Sequence, residues 1–221
     1  MGGTCLYTSK YPFPKKVKVM NKGVLSLIEN KFLALIDLTY QLIKMSIFFW
    51  LTLFKGFIFL GLTASFCTLL EAVDEILSGS GLPIRKLFRD ISLKYKGNKR
   101  LSLVMFGLII YLSAFIILPF PASVNANTAS FIKFGFLYIF VLTLVLFTYI
   151  SWIKVKKELT LKQTILYSFY LMMKKFLRTI FLIIILIALF YLTHMNFIFL
   201  IFLAPAIYAL GVRFVLKNLE G

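Results

Sequence analysis

Apolar residues along the chain gather into runs about as long as a bilayer is thick, separated by short basic segments. Leu101 to Leu118 is an uncharged apolar run closed by Pro119 and Pro121, and Phe134 to Ile153 is a second. Each approaches the roughly 20 residues a helix needs to cross about 30 Å of hydrocarbon. Between them Asn125, Asn127 and Thr128 make a polar loop without a charge. Beyond Lys154 a basic segment leads to Arg178, then an apolar run from Thr179 to Tyr191, a polar turn at Thr193 to Asn196, and a last run from Phe197 to Leu216. So short a turn fits only a tight helical hairpin.

The front of the chain is one long apolar region, Phe32 to Leu70, interrupted by Asp37, Lys44, Lys55 and Gly56. If the basic arm before Lys31 and the basic loop from Arg85 to Arg100 share one side of the membrane, this region crosses an even number of times. That parity predicts helices near 32–54 and 57–77 with Lys55-Gly56 as an external turn. The competing picture is one tilted span over 42–61 followed by an interfacial helix. Gly61, Ala64, Ser65 and Thr68 recur at helical spacing, and small residues let helices approach closely, so they form a candidate packing face. The whole pattern predicts an all-α, polytopic transmembrane helix bundle. A basic arm over 1–22 precedes a single membrane domain over 23–221, with spans near 32–54, 57–77, 101–119, 133–153, 178–193 and 197–216. Met20 is a second candidate start.

Two segments between the runs carry amphipathic periodicity. From Pro83, which suits a first helical turn, Ile84, Leu87, Phe88, Ile91 and Tyr95 fall at i, i+3, i+4, i+7 and i+11 while cations take the other faces. A second helix begins at Thr160, with Gln163 completing a capping-box pattern, and continues through Ile165, Phe169, Met172 and Met173. These predict cytoplasmic helices near 83–96 and 160–176. Each either lies in the headgroup region or docks a partner.

Composition agrees with the pattern: 61% of the 221 residues are hydrophobic and 15% charged, and mean hydropathy is +0.93. A soluble domain of this size could not hide so much apolar surface. The net charge of +17 would suggest nucleic acid in a soluble protein, but here the charges fall between apolar runs. Of the 25 Lys and Arg, 22 lie on the side holding the arm, the two amphipathic segments and the last helix end. The positive-inside rule makes that side cytoplasmic, with both termini. It also makes anionic lipid headgroups, not nucleic acid, the natural partner of the charge.

The chemistry of catalysis is sparse. Cys5 and Cys67 would lie at different depths and have no metal-ligand partner in spacing. The single histidine, His194, sits at a predicted helix end. There is no phosphate-binding Gly-Lys-Ser/Thr loop, no zinc-binding His-Glu pair and no Ser-His-Asp set. No catalytic, cofactor or metal residues are assigned, and an enzyme is not expected. The costliest residues are Asp37, Gln41 and Lys44, which share one helix face. A charge near the bilayer centre costs about 2.5 to 3.5 kcal/mol. They form either a polar element for a substrate path or subunit contact, or an interfacial Asp37 with a snorkelling Lys44.

From about Asn21 to Leu219 the chain resembles the YesL-like family of bacterial integral membrane proteins. The likeness rests on Glu29-Asn30-Lys31-Phe32, on Phe48 to Leu51, and on Leu159-Thr160-Leu161-Lys162-Gln163-Thr164 leading to Phe176-Leu177-Arg178-Thr179. Ala204-Pro205-Ala206-Ile207-Tyr208-Ala209 and Gly61 to Leu70 extend it, with Leu62 where the family has proline. The resemblance implies a bacterial cell-membrane protein. It also implies an accessory or regulatory role beside a carbohydrate-uptake ABC transporter, with permease or ATPase subunits as partners. Rival readings are an autonomous small-molecule transporter and a membrane-organising protein without a substrate.

Overall fold

The computed structural model describes residues 18–78, 83–95, 97, 99–119 and 125–217. Most of the expected N-terminal arm, and Cys5 with it, lies outside the described residues. The chain divides into two units, Met1–Tyr40 and Gln41–Gly221. Within the first, the described side chains Phe32, Leu33, Ile36, Asp37 and Tyr40 are exposed on helix α1 (Lys18–Lys55). The second holds the rest of α1 and eight further helices among the described residues: α2 (Leu62–Leu77), α3 (Ile84–Lys94), α4 (Lys99–Ile117), α5 (Ala126–Lys156), α6 (Leu161–Lys174), α7 (Phe176–Met195), α8 (Phe197–Phe202) and α9 (Ala204–Leu216).

Among the described residues three helices are long and apolar enough to cross a membrane: α4, the Asn127–Lys156 part of α5, and α7. They carry the expected spans 101–119, 133–153 and 178–193. Their outer faces are rows of large apolar side chains, such as Leu103, Val104 and Ile110 on α4 and Phe181, Ile184 and Phe190 on α7, all exposed. So much contiguous apolar surface is suited to lipid contact.

The core is built around α2. Nine of its sixteen residues are buried, from Thr63 to Val73, and α3, α4, α5 and α9 pack against it. Two of its hydroxyls are satisfied within the helix: Ser65 Oγ donates to the Gly61 carbonyl at 2.8 Å and Thr68 Oγ1 to that of Ala64 at 2.7 Å, whereas the buried Thr63 Oγ1 has no partner among the described residues. Such back-bonding lets Ser65 and Thr68 pack inside the core with their donors satisfied.

The first hairpin differs from the sequence reading. A turn at residues 56–61 joins α1 to α2, and Gly61 caps α2 with no side-chain hydrogen bond. The orphan Thr63 N–H instead donates to Ser102 Oγ at 3.0 Å, which ties the start of α2 to the start of α4. Lys55 and Gly56 line one groove with Lys99, and Lys55 lines another with Arg85, Lys86 and Arg89. A turn separated from those cations by about 30 Å of hydrocarbon could not do this. The structure thus sets the turn after α1 and the start of α2 beside α3 and the start of α4.

The expected span over 197–216 is likewise not one helix. Pro205 sits in the first turn of α9; proline lacks an N–H, and its ring excludes the carbonyl four residues back. That carbonyl, of Ile201, accepts the Trp50 Nε1–H at 3.0 Å, and the Ala206 N–H donates to Ser46 Oγ at 3.3 Å. Both polar groups opened by the break are closed by side chains of α1.

Candidate functional site

The end of α2 carries Glu71, Asp74 and Glu75, three of the eight acidic residues in the chain. Helical spacing of three sets Glu71 and Asp74 beside each other on one side of the helix, yet each meets cations from different helices. Asp74 receives Lys156 Nζ from α5 and Arg213 Nε from α9, both at 2.6 Å. Glu71 receives Lys94 Nζ from α3 at 2.9 Å and the Tyr95 hydroxyl. Burial, reinforced by the Glu71 carboxylate, pushes the Tyr95 phenol above its ordinary pKa. Lys156 also lies over the Trp152 ring, 5.3 Å from its centroid. One helix end thus ties together α3, α5 and α9 through charge-assisted hydrogen bonds.

Beside this network, α3 and the last turns of α1 enclose a groove of about 600 Å³. Its floor is Phe48, Leu51 and Phe88, with the Phe48 and Phe88 rings 5.6 Å apart. Its rim is Lys55, Arg85, Lys86 and Arg89. On the other side of Thr52, Lys55 and Ser92 lies a second groove of about 390 Å³, with Leu60, Gly61, Ala64, Ser65 and Thr68 on its walls. The expected packing face therefore turns partly toward a groove. Gly61, Ser65 and Thr68 are buried and Ala64 half-buried.

No family model, no curated protein and no solved structure matches the chain. Its functional reading therefore rests on its own geometry.

The candidate docking face on α3 is not open to a partner: Leu87, Phe88, Ile91 and Tyr95 are buried inside the protein and Ile84 is half-buried. The apolar stripe was legible; that this chain's own α1 and α2 cover it was not. On α6 the arrangement is reversed. Thr164, Ser168, Leu171 and Met172 face inward, Ile165 is half-buried, and Leu166, Phe169, Tyr170 and Met173 are exposed. Thr160 and Gln163 form the capping box, with the Thr160 N–H donating to Gln163 Oε1 at 3.2 Å. In the first unit Asp37 is exposed; in the second, Gln41 and Lys44 are half-buried. Among the described residues no group of three His, Cys, Asp or Glu is placed to hold a metal ion.

The acidic network was missed in the sequence. Its signal was three acids within five residues at the end of an apolar run, in a chain otherwise poor in acids. Charges in such a setting need partners.

Proposed function

We propose that the chain is a multi-pass membrane protein with both termini cytoplasmic, which acts by binding another protein rather than by turning over a substrate. In this reading α4, α5 and α7 cross the bilayer, and the broken pair α8 and α9 returns the chain. The α1–α2 hairpin enters and leaves from the cytoplasmic face. This replaces the six expected crossings with four and keeps an even count. Lys55 then joins the other cations on the cytoplasmic side, as the positive-inside rule prefers.

The observation that carries the reading is the outward face of α6. Large apolar side chains, with Leu166 75% and Phe169 51% exposed, stand on a helix that directly follows the basic end of α5. Helix-in-groove contacts use such a face. The resemblance to the YesL-like family would make the partner a permease or ATPase subunit of a carbohydrate-uptake ABC transporter.

Affinity purification in a mild detergent tests this. The wild-type protein is expected to recover transporter subunits in near-stoichiometric amount. A Phe169→Asp/Met173→Asp variant, folded to the same unfolding midpoint, is expected to lose them. Recovery of the wild type alone, or unchanged recovery by the variant, contradicts the reading.

A further inference from the structure

The groove between α1 and α3 has a composition that neither the core nor a water-facing surface explains. Four cations, Lys55, Arg85, Lys86 and Arg89, share its rim, and no carboxylate is among its lining residues. Arg89 has an ion partner in Asp90 at 3.3 Å, but both side chains are more than half exposed, so that pair is weak. Like charges gathered over an apolar floor repel one another unless an anion lies between them. The floor, Phe48, Leu51 and Phe88, is apolar, and the Thr52 and Ser92 hydroxyls that also line the groove already donate to the Phe48 and Arg89 carbonyls, which leaves little to hold a sugar or a peptide backbone.

The second groove continues from the first past Thr52, Lys55 and Ser92 and is bordered by Phe57, Leu60 and Leu93. Phe57 is 81% exposed, Ile58, Phe59 and Leu60 beside it are also exposed, and the Phe59 ring meets that of Phe106 on α4 at 4.7 Å. The turn therefore shares its depth with an apolar helix. Lys55 and Lys99 also line the second groove, so cations and apolar side chains run together along the track, and a ligand that fits it carries both negative charge and hydrocarbon.

We propose that this track binds one anionic phospholipid, with its phosphate held by Arg85, Arg89, Lys86 and Lys55 and its hydrocarbon lying over Phe48, Leu51 and Leu60. Guanidinium groups suit the phosphate because their planar donors reach two oxygens at once. Occupancy neutralises the rim and fixes α3 against α1. The proposal rests on the membrane reading, but it concerns one lipid at one place rather than general attraction to a charged leaflet.

The test is native mass spectrometry of the full chain released from nanodiscs of phosphatidylglycerol or phosphatidylcholine. The wild type is expected to retain one phosphatidylglycerol per chain and little phosphatidylcholine. Arg85→Gln/Arg89→Gln is expected to weaken retention by about tenfold or more, since each cation near the surface contributes to anionic-lipid binding. Lys55→Gln serves as a second variant, should the double variant fail to fold. Lys162→Gln/Lys174→Gln on α6 is expected to retain the lipid as the wild type does, and millimolar inorganic phosphate is expected not to displace it. Equal retention of the two lipids, no loss in the groove variants, equal loss in the α6 variant, or displacement by phosphate would each overturn the proposal. A chain that fails to enter nanodiscs at all would contradict the membrane reading itself.

Discussion

Gly56→Ala is expected to abolish a stable fold, with a loss of about 3 kcal/mol or more. A Cβ built on Gly56 runs into Gly61 Cα, and one built on Gly61 meets Gly56 Cα at 2.9 Å and the Leu53 carbonyl oxygen at 3.0 Å. All of these are backbone atoms, which cannot rotate aside as a side chain end can. The turn has no slack to absorb the clash. Phe57 and Ile58 already sit at φ of 52° and 40°, a left-handed conformation that costs residues with a Cβ roughly 1 to 2 kcal/mol each. Gly135→Ala is the matched control. It lies within α5 with nothing near its added Cβ, so it should be neutral or raise stability by up to about 1 kcal/mol. Yield of monodisperse protein and the unfolding midpoint in detergent distinguish the two.

Asp74→Asn should cost about 3 kcal/mol, the size expected when one partner of a shielded ion pair is removed. The Arg213 side chain is only 15% exposed and Lys156 31%, so both cations lose their carboxylate with little water to replace it. Asparagine preserves shape, which isolates the charge. Asp90→Asn breaks a pair whose side chains are 55% and 72% exposed and should cost no more than about 0.5 kcal/mol. Added salt should lower the stability contributed by Asp90 more than that contributed by Asp74, because shielded pairs are screened less. Thermal unfolding of both variants at low and high salt reads these differences directly.

The candidate spans α4, α5 and α7 were legible because a long uninterrupted apolar run has one cheap conformation in lipid, a helix that satisfies its own backbone. Both shorter helices were legible too. Periodicity placed Leu87, Phe88, Ile91 and Tyr95 on one face, and Thr160 with Gln163 marked the start of α6. What covers an apolar face is a tertiary fact. On α3 it is the chain itself, whereas on α6 the small residues Thr164 and Ser168 turn inward and the large ones outward.

Long-range pairs were illegible for a similar reason. Lys156 stands 82 positions from Asp74 and Arg213 139 positions away, and no local pattern joins them. The placement of the Gly56 hairpin beside α3 was illegible because counting crossings treats every apolar helix as a span. Alpha-helix α2, at sixteen residues and about 24 Å long at 1.5 Å per residue, is better accounted for as the centre of the core. The 197–216 run was read as one span although Pro205 stands within it, and only Trp50 and Ser46 show how the backbone opened between α8 and α9 is closed.

The central claim is that the α1–α2 turn lies on the same side of the membrane as α3 and the start of α4. Cysteine accessibility in intact cells tests it most directly, using single cysteines at Lys55, Asn127 and Lys157 in a Cys5→Ser background with Cys67 left buried. With an impermeant maleimide, Asn127→Cys is expected to label from outside, while Lys55→Cys and Lys157→Cys label only after the membrane is opened. Labelling of Lys55→Cys in intact cells alongside Asn127→Cys would place the turn outside and contradict the account.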